Sequence, residues 1–111
     1  MKIWVRFAVA GYHQWPEAPN HRSYLAMRHR HLFHVEARCQ VDHDDREVEF
    51  HDLLDQARAD FPGGHLGRQS CEDMARDLAT KLAAHYRRPF EVSVSEDGEV
   101  GAVVSVDHAT T

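Results

Sequence analysis

His29 and His31 stand two residues apart in the stretch RHRHLFHVEARCQV, residues 28–41, and His13 closes an earlier run of alternating residues. Neutral imidazoles are metal ligands, and three of them with an open fourth position make a zinc arrangement suited to catalysis rather than a closed structural site. Such chemistry needs all three rings on one face. In residues 28–41 the odd positions Phe33, Val35, Ala37, Cys39 and Val41 are apolar, and the even positions His34, Glu36, Arg38 and Gln40 are polar. This period of two reads as a β-strand. Carried backwards, the register puts His29 and His31 on the apolar face and His34 on the other. In residues 2–12, Ile3, Val5, Phe7 and Val9 alternate with Lys2, Trp4, Arg6 and Ala8, and the same odd register continues through Gly11 to His13. Three imidazoles can therefore converge if the two strands are neighbours. The same spacing also fits core or surface histidines that hold no metal. Several of the ten histidines in the 111 residues must be surface decoration in either case.

A carboxylate joins them from the other end of the chain. Residues 90–96, FEVSVSE, alternate Phe90, Val92 and Val94 with Glu91 and Ser93, so Glu96 ends an apolar row. A carboxylate there is unfavourable unless it is paired, bound to a ligand or emerging into water. If functional, it can accept hydrogen bonds from the amino and ring N–H groups of a pterin or guanine.

Four strands and two helices are expected to position these groups. Pro16, Pro19 and Asn20 argue for a loop after the first strand. The second strand reaches about Val41, and DHDDRE reads as a solvated acidic turn. Residues 50–61 read as a helix with Leu53, Leu54, Ala57 and Phe61 on one face, ended by Pro62-Gly63-Gly64. A second helix starts near Ser70, a plausible N-cap with Asp73 at the third helical position, and buries Met74, Leu78 and Leu82. Asp97-Gly98 is a hairpin signal between the third strand and a fourth at residues 99–106. The DHATT tail is expected to fray. The order ββααββ predicts an α+β fold with one four-stranded antiparallel sheet and both helices on one face. Open strand edges in so small a unit point to a homo-oligomer.

Composition bounds the function. The length suits a single domain, residues 1–111. Apolar residues make up 42% and charged residues 28%, as in globular rather than disordered chains. A formal net charge of −5 argues against nucleic acid as a partner. The apolar stretches are too short for a signal peptide or membrane span. Cys39 and Cys71 do not make a disulfide framework; read as reduced thiols, they suit a cytoplasmic location.

Several of these stretches, in order, resemble one family. HRHLFHVEA is similar to the H-G-H-N-Y/F-x-V-E-V motif of the 6-pyruvoyl- and 6-carboxy-tetrahydropterin synthases, the latter from queuosine and 7-deazaguanine biosynthesis. REVEFHDLL resembles their G-x-V-x-D-F-x-x-L segment, QSCEDMARDLATKL their P-T-A-E-N helix start, and FEVSVSED their V-x-V-x-E-T strand. The resemblance spans most of the chain from His13 to Glu96. It implies the tunnelling fold, in which subunits join their sheets into an oligomeric β-barrel, usually as hexamers. It also implies Zn2+ held by His13, His29 and His31, with Glu96 as the anchor of a pterin or purine-like ligand and His65 as the catalytic histidine. The implied activity is a zinc-dependent lyase acting on dihydroneopterin triphosphate or a related pterin. The chain departs from the pattern at the family's catalytic cysteine, replaced by Leu25, at the aspartate before the catalytic histidine, replaced by Gly64, and inside H-x-H, where Arg30 replaces glycine. Leucine cannot take a proton, so a non-catalytic protein that keeps the zinc and binds the same kind of ligand is the alternative reading.

Overall fold

The computed structural model describes residues 1–108; of the tail expected to fray, 109–111 lie outside the described residues. Strands β1 (Lys2–His13) and β2 (His29–Gln40) form a long antiparallel pair. Helix α1 (Phe50–Asp60), a two-residue strand β3 (Gly64–His65) and helix α2 (Cys71–Tyr86) follow, then a hairpin of β4 (Phe90–Glu96) and β5 (Val100–Val106). One sheet results, in the order β3-β1-β2-β4-β5.

The alternation read from the sequence determines which side of this sheet is dry. Val5, Phe7, Phe33, Val35, Ala37 and Cys39, at odd positions of β1 and β2, and Phe90, Val92, Val94 and Val104, at even positions of β4 and β5, are all buried on one face. Leu53 and Ala57 of α1 and Met74, Leu78 and Leu82 of α2 complete the same core, so both helices cover one face. Helix α2 is pinned by a reciprocal cap: Ser70 Oγ accepts from the Asp73 N–H at 3.1 Å, and Asp73 accepts from the Ser70 N–H at 3.2 Å. Asp97 and Gly98 both take positive φ, 57° and 76°, the conformation of a tight hairpin turn. Cys39 and Cys71 are free and buried.

Two features differ from expectation. The sheet has five strands and is mixed, because β3 pairs with Gly11 and Tyr12 in parallel. The segment expected as plain loop also holds a 3-10 helix, Asn20–Ala26, which is short, kinked at Arg22 and buries no residue, so it carries no periodic apolar face. The α+β class holds, whereas the sheet of the single chain is open rather than a closed barrel. Among the described residues no helix is long and apolar enough to cross a membrane.

Candidate metal centre

Strand register builds the site. His13 lies directly opposite His29, and His31 lies opposite Gly11. A side chain at residue 11 would collide with Leu66 at 2.7 Å and Phe33 at 3.0 Å, so glycine leaves room for both beside the histidines. Phe33 follows on β2, fully buried, and meets the rings of His13 and His31 edge-on with centroids 5.3 and 5.7 Å away. Across the next ladder Phe33 pairs with Glu96. Three adjacent strands thus bring His13, His29, His31 and Glu96 to one end of the dry face. One ligand atom from each lies within 4.8 Å of all the others.

The outer nitrogens show which atoms face inward. His13 Nδ1 donates to the Gln69 carbonyl at 2.8 Å, His29 Nδ1 to the Met27 carbonyl at 2.9 Å, and His31 Nδ1 to Asp97 Oδ2 at 2.7 Å. Carbonyl oxygens only accept, so the protons of His13 and His29 sit on Nδ1, and the Asp97 carboxylate favours the same tautomer in His31. Asp97 also accepts from the Leu32 N–H at 3.0 Å; that bond, with the His31 ring, holds its carboxyl below the usual carboxylate range. With the rings neutral, as a metal requires, all three Nε2 atoms turn lone pairs into the cluster, and among the described residues all three are buried without an aligned hydrogen-bond partner. Glu96 Oε2 stands 2.8 Å from His13 Nε2 and 3.3 Å from His31 Nε2. Lone pairs facing a carboxylate at that distance repel unless something positive lies between them. Oriented imidazoles backed by acceptors are the usual surroundings of a metal ion, and this group could hold one.

A pocket of about 470 Å³ opens on the cluster, lined by His13, His29 and Glu96 and also by Trp15, Leu25 and Arg68. Its volume suits a small molecule. Arg68 is ion-paired with Glu17. The Cys71 thiol also lines the pocket, but burial, with Glu96 and Glu72 adding to it, pushes its pKa up to about 12. A thiol so hard to ionise is no base near neutral pH.

The structure brings together four of the five residues singled out in the sequence. His65 is exposed and stacks on Tyr12 with ring centroids 6.1 Å apart. Tyr12 alternates with His13 along β1, so this stack belongs to the opposite face of the sheet. Asp97, the partner of His31, escaped sequence reasoning, although the Asp-Gly turn that carries it did not. No described protein family matches the sequence, and no curated protein shows significant similarity to it.

Proposed function

We propose that this chain is a zinc protein of the 6-carboxy/6-pyruvoyl-tetrahydropterin synthase type, a lyase taking dihydroneopterin triphosphate or a related reduced pterin in the pocket beside His13, His29 and His31. The observation that carries the reading is the set of three clustered Nε2 atoms, each on a ring tethered at Nδ1, with His13 and His29 lining a cavity of ligand size. Zinc held there supplies Lewis acidity to hydroxyl oxygens of the ligand side chain. The chain's own residues do the rest. Glu96 accepts hydrogen bonds from ligand N–H groups, Trp15 and Leu25 offer apolar wall, and Arg68 is the cation of the pocket lining. The proton acceptor comes from His65 of a neighbouring copy or from another group of that copy, in a homo-oligomer of the tunnelling type, hexameric by the same resemblance. Such a protein would serve 7-deazaguanine or pterin synthesis in the cytoplasm.

A second reading has its own support. Leu25 lines the pocket where the resemblance places a catalytic cysteine, and Cys71 is held as a neutral thiol. Both favour a protein that binds a pterin or purine ligand at its zinc without turning it over. Mass spectrometry of the zinc-loaded protein after incubation with dihydroneopterin triphosphate separates the two. A carboxy- or pyruvoyl-tetrahydropterin product is the expected result; intact substrate that remains bound supports the second reading, and intact substrate that does not bind removes both.

A further inference from the structure

The contacts around Glu96 have the lengths of two ligands on one metal ion and lack the alignment of hydrogen bonds. Two groups each about 2.0–2.1 Å from one tetrahedral zinc ion lie about 3.3 Å from each other, and closer when the angle between them narrows. Glu96 Oε2 is 3.3 Å from His31 Nε2 and 2.8 Å from His13 Nε2. Neither approach has hydrogen-bond alignment, since both nitrogens lack an aligned partner. A shared proton fits these lengths but needs an alignment that is absent, whereas a shared cation fits the lengths and needs no such alignment.

Building on the zinc centre of the proposed function, we propose that Glu96 is the fourth protein ligand, closing the site until an incoming small molecule displaces its carboxylate. The backbone favours the arrangement. Glu96 is the last residue of β4, fixed by pairing with Phe33 on one side and Val100 on the other, and the next residue is the Asp97 that orients His31. Two consecutive carboxylates thus serve one metal, the first by direct contact and the second through a histidine. Glu96 also lines the pocket and its side chain is 24% exposed, so it can swing from the ion into the cavity. There it becomes free to accept hydrogen bonds from the molecule that replaced it. Entry of a ligand and release of Glu96 are one exchange, which keeps weak or chance ligands off the metal.

Zinc affinity and azide access test this without knowledge of the natural ligand. Competition with a chromophoric chelator should show Glu96→Gln binding zinc at least tenfold more weakly than the native chain. Azide added to the cobalt(II)-substituted proteins should shift the visible spectrum of Glu96→Gln and leave the native spectrum unchanged at the same concentrations. A loss of affinity smaller than tenfold, or an azide-induced shift in the spectrum of the native cobalt protein at these concentrations, overturns the assignment. The native half of the azide experiment stands even if the variant does not fold. Failure of the native chain to bind zinc at all is a distinct result, and it removes the proposed function together with this inference.

Discussion

The tether on each Nδ1 fixes a lone pair on Nε2 and stops the ring from turning away. His34 is the natural control, because it lies on the same strand but on the other face, opposite Ala8 and Ser95. His29→Ala should abolish stoichiometric zinc binding, and His34→Ala should retain it, as read by metal analysis of the purified proteins. Equal zinc in both would sink the register argument. Asp97 acts one step further out. Asp97→Gly keeps a residue that accepts the positive φ of 57° but removes the acceptor for His31 and the Leu32 N–H. Loss of such a partner lowers metal affinity about 10- to 100-fold, measurable by chelator competition, and an unchanged affinity would show that His31 needs no orientation. The three histidines were legible because strand alternation is local and has a fixed period. Asp97 was not, because its partner is 66 residues away and the contact exists only once β2 and β4 are paired in register. His65 had only a resemblance to recommend it, and within one chain a two-residue strand carries it to the opposite face.

At the scale of the elements, the polar face of the sheet is ordered by a cross-strand ladder. Glu36 on β2 accepts from Arg6 of β1 at 2.6 Å and from Arg38 two residues along its own strand, and Arg38 reaches on to Glu91 of β4 at 3.3 Å. Burial pushes the Glu36 carboxyl up, but the two arginines outweigh it, and its pKa falls below the ordinary 4.5. The unfolded chain then takes up this proton at a higher pH than the folded one. The contribution of Glu36 to stability is therefore present above pH 4.5 and disappears as pH falls through the lower, folded value. With the arginine side chains about half exposed, the gain is on the order of 1 kcal/mol. Urea unfolding should show Glu36→Gln less stable by about that amount at pH 7, with the gap closing on acidification below 4.5; a constant gap would mean that packing and not charge is at work. The long strands and both helices were readable from their apolar periods and from the Ser70-Asp73 cap. Strand β3 was not, because two residues cannot display a period and Gly64 reads as part of a turn. The 3-10 helix was hidden by Pro16 and Pro19, which signal irregular chain and do not say which kind.

The whole molecule leaves its sheet unfinished on both sides. Among the described residues, β3 covers only Gly11 and Tyr12, so most of β1 has no partner on that side, and β5 has none on its outer side. Exposed apolar groups lie along both: Trp4 is 55% exposed on β1, and Val100 and Val103 are 63% and 62% exposed on β5. Open edges with apolar neighbours favour pairing with another chain, and neither edge carries proline to discourage it. Within one molecule the sheet is not closed, because β1 and β5 stand on opposite sides of it and do not pair with each other. Copies joined β1 to β5 would satisfy both edges at once and generate a ring where the rotation between copies closes, whereas pairing of like edges would leave the other edge free in each dimer. The ring would also bring residues of one copy towards the pocket of the next, where the missing proton acceptor is needed. Sedimentation velocity at micromolar concentration should therefore show one discrete species several times the 12.8 kDa of the chain, with six copies the expected count. A species of 12.8 kDa alone would remove the oligomer, and with it any base supplied from a neighbour. The binding reading would then remain for the metal pocket.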